Sequence, residues 1–471
     1  MNLRRERPGL GRWRAVACVA ALGCLLPWAA AASVFELFGA GPRGVALTNA
    51  LAAAAEGPEA TFYNPAGLAT ARNQSLAVGM AATSMQLRVH LARAICQDSA
   101  ERCVAASSGA ATARYEPLLP SGGSHLQLGW NGRHPTLAGG RLGFGFALTL
   151  PSRSLIHLSG PDARQPHFPL LESLADRISV RAAAGMQLRP RVSVGLGLQI
   201  LAALGSSIDA TLDPPAKRLE PVSVTIALQP TVRMTAGVQV EPIDGLRLGL
   251  GLRQEMLLHS RIPSHLLLGS LVGADMLVAQ DTLFSPWTFE LGAAWRLRGG
   301  RLLLLAGLRV ALWGRMPDPS PRVVIDVGGG AAGQLGLDDV VDVGTRRTAT
   351  PPGARTTTSP SLAAEFAVAP RWTARAGYSY RPTPLPRASG ATNLLDNDVH
   401  ALGAGCEIGL GDALGAPGAG PTLHRGFVQL GLQLQLWPRR AVYKSDPQDV
   451  QGDLDHGGWI AHGGALAGVR F

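Results

Sequence analysis

From about residue 74 to the end of the chain, apolar and polar positions alternate with a period of two in one segment after another. Leu142, Phe144, Phe146, Leu148 and Leu150 alternate with Gly143, Gly145, Ala147 and Thr149. Val192 to Ile200, Leu246 to Leu252 and Val428 to Leu436 repeat the pattern. A β-strand turns successive side chains to opposite faces, so each segment carries one apolar face and one small or polar face. A soluble sandwich would meet water with bulky charge on its second face. Here that face is glycine, serine, glutamine and isolated charge, which suits the inside of a large barrel whose apolar face meets lipid. Trp287 and Trp295 share the apolar face of one segment. Their separation approaches the ~25 Å band bounded by aromatic girdles.

The alternation predicts fourteen strands: 74–91, 122–132, 140–151, 175–188, 191–211, 222–240, 245–260, 285–297, 301–314, 359–369, 371–381, 398–410, 424–437 and 457–471. The connections alternate short and long. Arg189-Pro190, Glu241 to Gly245, Arg298 to Gly300 and Pro370 read as periplasmic turns. The long segments 92–121, 152–174, 212–221, 261–284, 315–358, 382–397 and 438–456 then lie outside the cell. The last strand places Trp459, Ala461, Gly463, Ala465, Ala467, Val469 and Phe471 on one face, with His462 and Arg470 on the other. A terminal phenylalanine after such alternation resembles the signal read by the outer-membrane assembly machinery.

Composition agrees with this architecture. The chain has 471 residues, 58 of them glycine, and only 16% are charged, which does not suit packed soluble helices. Its 43 basic residues against 33 acidic ones are mostly single, scattered arginines. A nucleic-acid binder gathers its basic residues into a stripe with stacking aromatics, and no such stripe is present. The basic excess has two open readings, attraction to anionic lipopolysaccharide or substrate, and a genome rich in arginine codons.

Residues 1–32 read as a cleaved secretory signal: Arg4, Arg5, Arg7, Arg12 and Arg14, then an apolar run from Ala15 to Leu26, then small residues up to Ala32. A lipid-attachment site at Cys24 is the weaker reading, because no leucine stands three positions before it. No later segment offers the ~18 to 20 apolar residues of a membrane helix. Cys96 and Cys103 share one polar loop and either form a disulfide in an oxidising compartment or remain two thiols. Cys406 falls on the lipid phase of its strand.

Between signal and barrel lies FELFGAGPRGVALTNALAAAAEGPEATFYNPAGL, Phe35 to Leu68. Gly39, Gly41 and Gly44 free the backbone, Val45 to Ala55 reads as a short helical run, and Asn64-Pro65-Ala66-Gly67 is turn chemistry. The glycine-rich opening, the alanine-rich piece and YNPAGLA resemble the amino-terminal hatch of the FadL family. Those are outer-membrane proteins of Gram-negative bacteria that take up long-chain fatty acids and related hydrophobic compounds. The resemblance implies an all-β, fourteen-stranded antiparallel barrel with a small helical hatch plugging its lumen. The chain then divides into signal 1–32, hatch 33–72 and barrel 73–471. It further implies a monomer that captures fatty acids, or aromatic hydrocarbons, in its outer loops, passes them beside the hatch and releases them sideways through the wall.

Carried onto this sequence, Asn64, Pro65, Ala66 and Gly67 hold the hatch, with Asn64 bonding to the wall or to its own turn. Phe62 and Tyr63 line the ligand channel. Leu155, Ile156, Phe168, Leu170 and Leu171 in one outer loop, and Leu267, Leu268 and Leu271 in another, are candidate capture residues. Packing of those loops on one another is the other reading. Gly143, Gly145 and Pro151 are candidates for a wall defect, since glycine and proline weaken a ladder. By strand phase Arg181, Arg233, Arg247, Arg253, Arg309 and Arg375 face the lumen, against Glu290, Glu365 and Glu407. They either attract an anionic head group or form a structural ladder with the glutamates.

No Gly-x-Ser-x-Gly, His-Glu-x-x-His, phosphate-binding glycine loop or Cys-x-x-Cys occurs, so the expectation is a protein that is not an enzyme and needs no cofactor. Asp446, Asp449, Asp453, Asp455 and His456 cluster in the last outer loop, where solvated acids weigh above a calcium site. The segment 315–358, rich in glycine, threonine and proline, is expected to be mobile. A surface barrel that no longer transports is the alternative function.

Overall fold

The computed structural model describes residues 35–91, 116–120, 122–135, 141–152, 165–172, 178–213, 218–219, 223–268, 272–319, 322–328, 352–389, 392–411, 425–444 and 451–471. Residues 1–34, Cys96, Cys103, Leu155, Ile156 and Leu271 lie outside these.

Fourteen strands close one antiparallel ring. They are β1 (Ser75–Leu91), β2 (Gly123–Pro135), β3 (Arg141–Pro151), β4 (Ser179–Arg189), β5 (Val192–Asp213), β6 (Ser223–Ile243) and β7 (Leu246–Arg253). The second half is β8 (Thr288–Leu297), β9 (Leu302–Ala311), β10 (Thr357–Ala369), β11 (Trp372–Arg381), β12 (Val399–Gly411), β13 (Arg425–Val442) and β14 (Leu454–Arg470). Each pairs with its neighbours in sequence, and β14 returns to β1 from Leu91↔Leu454 to Ser75↔Arg470. Closure leaves no edge whose amides and carbonyls would face hydrocarbon, where an unsatisfied group costs several kcal/mol.

The two faces separate as the alternation predicts. On β5, Leu196 is 71% exposed while Gln199 is 4% exposed. Val78, Leu250, Leu362 and Leu432 continue the exposed apolar belt around the ring. Such a belt on a closed barrel belongs in an outer membrane. Trp287 and Trp295 keep the outward phase, with Trp295 half exposed.

Two outer segments differ from the expectation. Residues 256–285 form a hairpin of strands, Met256–Leu268 and Val272–Ser285, that continues β7 and β8 outward, where the sequence reading has a loop from 261. Leu267 and Leu268 sit near its tip, paired with Gly273 and Val272. Within 315–358, Arg322–Gly328 adds a third strand to that hairpin, pairing with 273–279. Consecutive apolar residues such as Val323, Val324 and Ile325 hide the strand, because two apolar faces leave no alternation to read.

Residues 35–71 fill the lumen as a hatch of short turns. Helices α1 (Phe35–Phe38), α2 (Gly41–Ala46), α3 (Ala60–Tyr63) and α4 (Gly67–Thr70) alternate with tight bends. The helical run expected over Val45 to Ala55 is therefore corrected: α2 stops at Ala46, and turns closed by bonds such as Asn49 N to Gly44 O follow. Thr48 and Asn49 adopt left-handed φ of 46° and 71°, which breaks the helix. The Tyr63 hydroxyl holds this bend, accepting from Ala40 N and donating to Asn49 Oδ1, both at 2.8 Å.

Candidate functional site: the hatch, its seat and two cavities

Lumen-facing glycines of the wall are the seat of the hatch. A Cβ on Gly143, Gly185, Gly195, Gly237 or Gly251 would strike the backbone or side chains of residues 63–69. Gly249, Gly377, Gly403 and Gly431 give the same clearance to Ala52, Leu47, Ala46 and Pro42. Gly143 and Gly145 are thus not a wall defect. The ladder of β3 is continuous with β2 from His125↔Pro151 to Pro135↔Arg141, and with β4 from Leu142↔Met186 to Thr149↔Ser179. The missing side chains admit Leu68, and Pro151 sits at the paired end of its strand.

Asn64 is fully buried at the centre of this seat. Its Nδ2 donates to Ala52 O of the hatch at 2.7 Å and to Val238 O of β6 at 3.0 Å, while its Oδ1 accepts from Ala66 N at 3.1 Å. Pro65 opens the next turn, whose carbonyl receives Leu68 N, and Gly67 N bonds to Asn64 O. Phe62 and Tyr63 are buried and line neither cavity described below. The Phe62 ring lies 4.3 Å from the Arg253 guanidinium and 5.5 Å from that of Arg181, so its face is taken by cation–π contacts.

The lumen arginines form a ladder that grips the hatch, not a free cationic lining. Arg233 meets Glu36 of α1 at 2.6 Å and also bonds Gln199 and Ser285. Arg253 and Arg309 share Glu290, each at 2.8 Å, and Arg309 Nη1 donates to Glu36 O. Arg247 reaches Glu56 at 3.2 Å. Arg43 of α2 pairs with Glu365 at 2.6 Å and Glu59 at 3.2 Å, and Arg375 bridges Glu365 and Glu407. Three charges of the hatch, Glu36, Arg43 and Glu56, thus hold it to the wall, with Glu59 paired to Arg43 inside the hatch, and sequence reasoning passed over all four. Their signal was available: they are the hatch's main charges in a run of small residues. Burial alone would raise the pKa of Glu36, but the charges of Arg233 and Arg253 and the bonds from Ser285 and Arg233 hold it below the usual range. At Glu59 burial wins over Arg43, and its pKa is raised.

Above the hatch, three outer segments are stitched into a lid. Leu118 N donates to Pro166 O at 2.9 Å, His167 N to Asn393 O at 3.2 Å and Leu395 N to His167 O at 2.8 Å. Phe168, Leu170 and Leu171 are buried here and offer no exposed capture surface. Phe168 packs edge-on against Trp437 at 5.9 Å and His456 at 5.7 Å. The same apolar cluster takes in Leu171, Leu395 and Phe38 of the hatch, whose ring stacks on His462 at 4.7 Å. Lid and hatch therefore share a core. Asp455, from the acidic cluster, is bound by Arg439 at 2.6 Å and His90 at 3.2 Å.

Cavities lie above and below the hatch among the described residues. One of about 90 Å³ lies between lid and hatch, with Leu37, Leu170, Phe284, Trp313 and Val399 on its apolar side and Thr48, Glu290 and Arg309 on its polar side. The other, about 540 Å³, lies under the hatch toward the periplasmic turns, and its lining includes arginines and glutamates among alanine, glycine and leucine.

The β6–β7 seam is short and bulged. Its pairing runs from Ile243↔Leu246 up to Thr235↔Arg253 and ends there, with a bulge between Val240 and Ile243. One further step is bonded, Gln254 N to Met234 O and Met234 N to Gln254 Oε1, before the chain leaves the wall for the hairpin. Arg253, the last paired residue, lines the smaller cavity.

No protein-family model matches the chain, and no curated protein matches it. Solved structures do. A Pseudomonas aeruginosa FadL homologue superposes with a TM-score of 0.56 at 15% identity, over 91% of this chain and 98% of that one. A TodX mutant described as a monoaromatic hydrocarbon channel gives 0.50 at 16% identity, over 92% and 99%. The Ralstonia pickettii toluene transporter TbuX gives 0.48 at 15%, over 93% and 100%. At such identities the likeness speaks to architecture, and it agrees with the closed ring and the lumenal plug: the chain has the fold of the FadL barrels.

Proposed function

We propose that the protein carries hydrophobic small molecules across the outer membrane without an energy source, long-chain fatty acids foremost. The observation that carries this reading is the cavity between lid and hatch, apolar on one side, beside the β6–β7 seam. A barrel with lid and plug both in place passes no free solute, so a ligand must be taken up by the lid, held above the hatch and released. The TodX mutant of similar fold is a monoaromatic hydrocarbon channel, which supports the hydrophobic class.

At about 90 Å³ the resting cavity falls far below the ~300–1,000 Å³ of a drug-sized site. It holds one ring or a short acyl segment, and a long chain enters by displacing Leu37 or Leu170. Release is sideways, at the seam above Thr235. The signal 1–32 takes the chain out of the cytoplasm, and residues 35–71 act as the gate with Asn64 as its pin. The ion-paired hatch favours a second reading, a barrel that is locked and serves the surface only.

Uptake of labelled oleate and toluene by cells lacking their own fatty-acid channel separates the two. Transport predicts saturable uptake that Asn64→Ala alters, with heat-modifiable gel migration showing the barrel folded. A folded barrel with no uptake of either compound supports the locked reading.

A further inference from the structure

The larger cavity is not used by the transport just described, and its chemistry is wrong for a hydrocarbon. Eight arginines and five glutamates line its 540 Å³. Several are spent on one another: Arg43 on Glu365 and Glu59, Arg247 on Glu56, Arg470 on Glu407 at 2.6 Å. Arg301 donates to the backbone carbonyls of Ala367 and Val368. Glu241 makes no ion pair among the described residues and accepts from Gly245 N at 3.1 Å. Among the described residues no carboxylate lies within ion-pair distance of Arg72 or Arg296, which share the chamber with Arg247. Arg375 is spent on Glu407 at 2.7 Å and Glu365 at 3.3 Å. Glu241, Gly245, Gly300 and Arg301 form the chamber's rim at the periplasmic turns, so it is reached from that side.

We propose that this chamber is a binding site for an oxyanion, a carboxylate or phosphate entering from the periplasm, held by Arg72 and Arg296. Guanidinium groups present paired N–H donors matched to two oxygens of such a group. The chamber is roomy enough for an anion that carries an organic body. Two sources share the chemistry: the carboxylate of an amphiphile and a soluble phosphate compound.

Calorimetric titration of the folded full chain in non-ionic detergent with pyrophosphate tests the site. The expected result is saturable one-site binding, weakened about tenfold in Arg72→Gln and again in Arg296→Gln. Arg439→Gln, on the outer surface, leaves it unchanged. Arg72 is exposed on the hatch, so its variant keeps the fold, and gel migration verifies this for both. Absence of saturable binding, or binding indifferent to both arginine variants, overturns the proposal. Displacement of bound pyrophosphate by octanoate assigns the site to amphiphile head groups. No displacement assigns it to soluble phosphates.

Discussion

Among single residues, the two glutamates of the hatch answer pH in opposite directions. Glu36 has its pKa held below the ordinary value, so it contributes stability above that value and loses it as pH falls through the depressed one. Glu59 has its pKa raised. Its favourable contribution is complete below the ordinary value and is lost as pH rises through the raised one, so at neutral pH its burial works against the hatch. Glu36→Gln should therefore loosen the hatch at pH 7 by about 2 kcal/mol, the worth of charge-assisted bonds to Arg233 and Ser285. Glu59→Gln should leave it as firm or firmer, since Arg43 keeps Glu365. Protease susceptibility of residues 35–72 across pH 4–8 reads both. Wild-type protein should open on the acid side, and Glu36→Gln should abolish much of that dependence.

At the scale of elements, the strands were legible because each must satisfy lipid on one face and lumen on the other, and two solvents write a period of two. Predicted limits of β1, β3 and β11 fall within a residue of those observed. The hairpin 256–285 and the strand Arg322–Gly328 were not legible, since above the membrane that constraint lapses. The glycines were seen but misread. Gly143 and Gly145 weaken no ladder; what they accommodate, Leu68 of the hatch, is distant in sequence and invisible to periodicity. Likewise Phe168 and Leu171 looked like exposed loop residues, because their partners Trp437 and Phe38 come from opposite ends of the chain. The seam gives this scale its prediction. Cysteines placed at Met234 and Gln254, oxidised across the β6–β7 junction, should lower oleate uptake at least tenfold, and reductant should restore it. Uptake untouched by the crosslink would move the exit elsewhere.

For the whole molecule, the ladder from β1 to β14 is complete without any contribution from the hatch. Deleting residues 35–72 should thus leave a folded, heat-modifiable barrel. The lumen would then be blocked only by the lid, and single-channel recording should show a conductance that the intact chain lacks. A deletion protein that stays silent would mean the lid alone seals it.

The join of Ser75 to Arg470 also fixes an order of events. It links the first residue of the ring to the last, so no closed wall exists until the last strand of the ring has been made and delivered to the membrane. By then residues 35–71 have long been made, and they must be gathered inside before the final seam zips, because the glycine seat is shared among strands on every side. The barrel is built around its occupant like a ship's hull around an engine, and an occupant that fits badly is found out only when the hull will not close.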